Sequence, residues 1–141
     1  MLAVAETVVA RVDLGYFDNF KSAGTLLIEA DDEGLQHLGA SLRSLQQGSV
    51  GSLAIEALPC VTAHHGVRLT AARGFRESVT RCGTASNEFR WQRTELGWQD
   101  AAERIEALIA YPDGHQYFEG PQIVVQVSKG EYGADWWGRH G

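Results

Sequence analysis

Two runs in this chain repeat apolar side chains at steps of three and four. In the first, Leu35, Leu38, Leu42 and Leu45 fall on one face of a helix. In the second, Trp98, Ala101, Ala102, Ile105, Leu108 and Ile109 do the same. A helix with one apolar stripe must bury that stripe, and the segments around both runs supply the means, because their apolar side chains alternate as in half-buried strands. The pattern predicts an α+β fold: a two-layer structure, with a mixed, mostly antiparallel sheet carrying both helices on one face.

The boundaries follow from local chemistry. Val8 to Leu14 alternates, with Val8, Ala10, Val12 and Leu14 on one side, and reads as a strand. GYFDNFKSAG then reads as a loop holding Tyr16, Phe17 and Phe20, before a second strand from Thr25 to Ala30. Asp31, Asp32 and Glu33 open the first helix, where a carboxylate caps free backbone N–H groups and opposes the helix dipole. Gly48 closes it. Strands are expected at Ser52–Leu58 and Val67–Ala72, and a weak one within GFRESVTRCG. After a turn at Gly83–Asn87, a further strand spans Glu88–Gln92. Thr94 caps the second helix, the turn Tyr111-Pro112-Asp113-Gly114 ends it, and HQYF and QIVVQVS supply the last two strands.

A shift of sixty-three residues lays Asp31 on Thr94, Gly34 on Gly97, Leu35 on Trp98, Leu42 on Ile105 and Leu45 on Leu108. Residues 1–141 are therefore expected to form one domain of two strand–helix–strand half-repeats, 1–73 and 74–130, followed by an aromatic tail, 131–141. The sheet face away from the helices carries Arg11, Asp13, Arg68 and Gln126. It is expected to be solvated or covered by a partner.

Composition acts mainly by exclusion. With 141 residues, 44% hydrophobic and 21% charged, the chain can bury roughly two thirds of its unfolded surface. No apolar run approaches the length needed to cross a bilayer. The start, MLAVAETVVARVD, lacks a basic segment and meets Glu6 and Arg11 early, so a cytoplasmic location is expected. The net charge is −6 with the cations scattered, which argues against nucleic acid or a membrane surface as partner and suits a basic protein. Cys60 and Cys82 are expected to be free, mostly buried thiols.

Few residues suggest chemistry. Cys60, His64 and His65 in PCVTAHHG are candidates for zinc ligation or for a thiol–imidazole pair, and His37, Cys82 or His115 would have to complete a metal site. Their place between two strands, ending in Gly66, reads more simply as a polar hairpin loop. Asp31, Asp32 and Glu33 are explained by capping, and Glu103 and Glu106 by a solvated helix face. Neither GxGxxG nor GxxxxGK[ST] occurs, so no catalytic residue, metal or cofactor is assigned. The tail SKGEYGADWWGRHG is the most informative stretch. It places Tyr132, Trp136 and Trp137 among glycines and carboxylates, a composition suited to a binding hot spot. Partner contact is expected through Glu131, Tyr132, Asp135, Trp136 and Trp137, with at least one ring exposed. The competing expectation is that the tail folds back and one ring caps the core.

The segment GTLLIEADDEGLQHLGASLRSLQQGSVGSLAIE, through Leu27, Ile28, Glu29, Gly34, Leu35, Leu38 and Leu45, resembles the opening of small immunity proteins of bacterial polymorphic toxin systems. The resemblance covers about the first half of the chain. It implies a small α+β protein that is not an enzyme and that neutralises a cognate toxin, here a basic toxin domain, by binding it. The alternative expectations are a small metal- or thiol-dependent enzyme using Cys60, His64 and His65, and a homo-oligomer.

Overall fold

In a computed structural model, which describes residues 10–21, 23–83 and 86–141, the chain has the α+β composition that the pattern predicts. The order is β1 (Val12–Phe20), β2 (Ala23–Ala30), α1 (Asp32–Gln47), β3 (Ser52–Ala54), β4 (Val61–Ala63), β5 (Arg68–Arg73), β6 (Ser78–Arg81), β7 (Glu88–Arg93), α2 (Glu95–Ala107), β8 (Gly114–Glu119), β9 (Ile123–Lys129) and α3 (Ala134–His140). The expected single sheet is two. One is ordered β4-β1-β2-β9-β8 and the other β3-β5-β7-β6.

A hairpin, β1–β2 or β6–β7, precedes each main helix and an antiparallel pair, β3 with β5 or β8 with β9, follows it, with β4 lying between β3 and β5 in sequence but in the other sheet. The hairpin β1–β2, however, pairs through β2 with β9, in parallel, from Gly24↔Ile123 to Glu29↔Ser128. The hairpin β6–β7 likewise pairs through β7 with β5, in parallel. Each sheet thus takes one hairpin from before a helix in one half and one from after the helix in the other. Strand order of this kind depends on contacts far apart in sequence, which is why one sheet and two predict the same local pattern.

The helices form where their stripes and caps place them. Asp31 accepts a hydrogen bond from the Gly34 N–H at 2.7 Å, and Thr94 accepts one from the Gly97 N–H at 3.1 Å. Gly48 ends α1 at φ 78°, a left-handed conformation that glycine adopts without a Cβ clash. Arg43 of α1 forms a two-pronged pair with Glu106 of α2, at 2.7 and 3.1 Å. The apolar stripes of both helices and the inner faces of both sheets share one core. Trp91 and Trp98 meet edge to face in it, 4.8 Å between ring centres. The Trp98 indole N–H donates to the Ala72 carbonyl at 3.0 Å, so its one polar atom is paired.

Four segments depart from expectation. The aromatic loop GYFDNFKSAG is instead the outer half of β1 and the start of β2. Tyr16 packs on the core while Phe17 turns to the opposite face, and a bulge between Phe17 and Phe20 disguises the alternation. Of the strand expected from Val8, residues 8 and 9 lie outside the described residues. The third strand stops at Ala54. A 3₁₀ turn at Ile55–Ala57 follows, with Ile55 buried and the Glu56 carboxylate accepting the Leu69 N–H at 2.8 Å. The loop around His64 contains β4, which pairs in parallel with β1. The tail contains helix α3. The thiols are free as expected, but Cys60 is half-buried and Cys82 exposed.

Candidate partner-binding site

Val12 and Leu14 of β1 point into the core, so Asp13, Gly15 and Phe17 must lie on the other face of the five-stranded sheet. Register carries that face across the sheet. Opposite them on β2 are Glu29, Leu27 and Thr25, then Ser128, Gln126 and Val124 on β9, then His115, Tyr117 and Glu119 on β8. All the buried polar or charged side chains among the described residues belong to this face: Asp13, Thr25, Glu29, Gln126 and Ser128. A polar sheet face becomes buried only when something covers it, and over Asp13, Gly15 and Glu29 the cover is the chain's own tail together with His64. Arg68, expected on the same face, lies on β5 of the other sheet.

The tail is fastened by charge and seated by an aromatic ring. Beyond β9, Gly130 turns at φ 72°, and three successive N–H groups converge on the Glu29 carboxylate. Gly130 donates at 2.8 Å, Glu131 at 3.3 Å and Tyr132 at 2.9 Å. Such a run of amides is a natural anion cradle. Burial nevertheless pushes the Glu29 carboxyl above its usual range, with the three N–H groups opposing it. Helix α3 then lies over β1, where Gly15 leaves room for the Trp137 ring; a Cβ there would come 2.8 Å from Trp137 Cζ3. His64 stacks on the same ring at 4.4 Å, and its Nε2 lies 2.9 Å from Asp13 Oδ1. The buried Trp137 indole N–H has no hydrogen-bond partner among the described residues.

Because the tail is helical, adjacent tryptophans are rotated by about 100° and do not point to opposite faces as on a strand. Trp137 goes down onto the sheet, outside the main core, while Trp136 stays half-buried at the side. Trp136 packs edge to face with Tyr132 at 4.9 Å and Phe17 at 5.3 Å, and Phe20 meets Tyr132 at 5.5 Å. His140 stacks on Trp136 at 4.6 Å. The half-buried rings of Phe17, Phe20, Tyr132 and Trp136 form a shelf, with Glu131 and Asp135 exposed beside it, while the exposed Asp18 lies 3.9 Å from Arg81 of β6. Glu131 is held by His115 at 3.0 Å. Phe17 and Phe20, expected in a loop, belong to the shelf through their place on β1. The glycine at position 15, inside a strand between Leu14 and Tyr16, is the signal that marks the docked ring.

The Cys60–His64–His65 grouping does not assemble. Cys60 packs against the core beside a hollow it shares with His37 and Pro59, whereas His64 lies over the outer face with Asp13 and Trp137. Burial pushes the Cys60 thiol up, which disfavours the thiolate that nucleophilic attack requires. His65 takes a left-handed turn at φ 56°, and its carbonyl accepts from the Asn87 side chain at 2.8 Å. Among the described residues, no three His, Cys, Asp or Glu side chains converge as a metal site requires. A hollow of about 390 Å³ at the Glu29 end of the face is lined by Arg11, Asp13, Glu29, Asp32 and Lys129 among others. Its charges are already paired, Arg11 with Asp13 at 2.8 Å and Lys129 with Asp32 at 2.6 Å. No helix among the described residues is long and apolar enough to cross a membrane.

No protein-family model matches the chain, and no curated protein sequence matches it.

Proposed function

We propose that this chain is a non-enzymatic protein-binding module of the immunity type, which binds a cognate bacterial toxin domain and neutralises it. The observation that carries the reading is the aromatic shelf. Four half-buried rings, Phe17, Phe20, Tyr132 and Trp136, are held in place by a docked helix and flanked by the exposed Glu131 and Asp135. Large rings fixed before binding give contact area at small entropic cost, and such residues dominate interface energetics. The carboxylates suit a basic partner. The likeness of the first half to toxin-immunity proteins supports the same reading.

The test is neutralisation. A toxic protein captured by this chain from its own host is expressed in cells with and without it. Wild type is expected to restore growth. Trp136→Ala is expected to weaken binding by about thirtyfold or more, the loss of a hot-spot residue, while leaving the unfolding transition nearly unchanged. Binding equal to wild type by Trp136→Ala, Tyr132→Ala and Phe20→Ala alike would take the shelf out of the interface.

A further inference from the structure

Beside the shelf, the outer face of the five-stranded sheet holds a groove of about 260 Å³. Thr25 and Gln126 form its floor, Phe20 and Tyr117 flank it, and Lys21 and Glu119 stand at its rim. Lys21 belongs to the β1–β2 turn and has φ 51°, an unusual backbone conformation for a residue with a side chain. From there its ammonium reaches back over the groove. It lies 5.6 Å from the centre of the Phe20 ring and 6.0 Å from that of Tyr117, and it donates to the Tyr117 hydroxyl at 3.4 Å.

A surface lysine ordinarily rests in water or against a carboxylate. Lys21 is exposed, but among the described residues it pairs with no carboxylate, and its ammonium rests against aromatic faces and a phenol. Glu119, on the same groove, is exposed and has no ion-pair partner among those residues either. Two aromatic rings with a carboxylate beside them make a site for an alkylammonium group, since the ring faces carry negative potential and the carboxylate supplies the countercharge. The site therefore already holds an occupant of the right chemistry, supplied by the chain itself.

We propose that this groove is a binding site for a lysine side chain of the partner, and that Lys21 is an internal stand-in which the partner's ammonium displaces. The proposal rests on the partner-binding reading above and adds to it the chemistry of the side chain that the partner brings. Phe20 belongs to both the shelf and the groove, so a lysine seated in the groove would lie next to whatever packs on Trp136 and Tyr132. Glu119 would pair with the incoming ammonium once Lys21 has moved aside.

The test needs no partner. The peptide acetyl-Gly-Lys-Gly-amide is titrated into wild type, Lys21→Ala and Glu119→Gln while the ring and amide resonances of Phe20 and Tyr117 are followed by NMR. The norleucine peptide serves as the uncharged control. Lys21→Ala, its spectrum otherwise unchanged, is expected to bind the lysine peptide at least about fivefold more tightly than wild type, because the internal competitor is gone. The double variant Lys21→Ala/Glu119→Gln is expected to lose most of that gain, and the norleucine peptide to leave the rings unmoved. No perturbation of Phe20 or Tyr117 in Lys21→Ala, equal binding by wild type and Lys21→Ala, or equal binding of the norleucine peptide would each overturn the proposal. Neutralisation by the intact protein is read separately, so a failed peptide titration leaves toxin binding standing. A failed neutralisation with successful titration removes the toxin and keeps the ammonium site.

Discussion

Glu29 shows how one residue ties a local fold to a functional surface. It sits at one end of the polar sheet face, on its central strand, is almost fully buried, and gathers the three N–H groups that begin the tail. Its charge is both what holds the tail and what burial penalises. The folded-state pKa is raised, so the folded protein holds the Glu29 proton more firmly than the unfolded chain does. The stability this contributes is fully present below the ordinary glutamate value and is lost as pH rises through the folded-state value. Glu29→Gln abolishes that titration and leaves a side chain with only one acceptor oxygen for three donors. At neutral pH the substitution is expected to cost about 1–3 kcal/mol through unpaired N–H groups. In urea unfolding followed across pH, wild type should gain stability relative to Glu29→Gln as pH falls through the window just above the ordinary glutamate value. A difference that instead widened with rising pH would show a carboxylate stabilised by its amides more than it is penalised by burial.

Among the elements, the two main helices are a matched pair with unequal tolerances. In both, a capping side chain accepts from a glycine N–H in the first turn, yet the two glycines face different surroundings. A Cβ at Gly34 would come 2.4 Å from the Arg11 carbonyl oxygen and 2.8 Å from Val12 Cγ2, so the helix start would have to move off the sheet. A Cβ at Gly97 would meet the end of the Glu77 side chain at 2.2 Å, which can swing aside. Gly34→Ala is therefore expected to destabilise by about 1–3 kcal/mol and Gly97→Ala by clearly less, read as urea midpoints at constant slope. Helices, caps and most strands were legible because stripe, alternation and capping are local properties. The tail helix was not. Its seven residues have no side-chain cap, include Gly138 and lie between Gly133 and Gly141, so it owes its form to Gly15 and the sheet beneath. The outer half of β1 was hidden by its bulge. The shelf was half legible, because Tyr132 and Trp136 announced themselves by composition, whereas Phe17 and Phe20 join them only through pairing with β2.

For the whole molecule, the net charge is a modest −6, and the arginines of the four-stranded sheet are largely matched, Arg68 by Glu88, Arg73 by Glu95, Arg93 by Glu77 and Arg81 by Asp18, while Glu131 and Asp135 stand exposed at the shelf. On the proposed function, a basic partner is steered toward these two carboxylates. Reversing Glu131 and Asp135 to Lys together should slow association by about tenfold at low salt, with the effect shrinking as salt rises. Neutralising Arg68 and Arg90 should not slow it. Rates from stopped flow that respond equally to both sets would show that orientation is not set by charge. The exchange of hairpins between the halves has a consequence at another stage of the protein's life. The strand β2 finds its parallel neighbour only in β9, and Glu29 meets the N–H of Gly130 across 101 residues of chain. On the ribosome, the first hairpin emerges with an apolar edge that nothing yet synthesised can pair. It must wait, exposed or attended by a chaperone, until the last strand has been made. A premature stop anywhere before β9 would release a chain unable to close either its first sheet or its core.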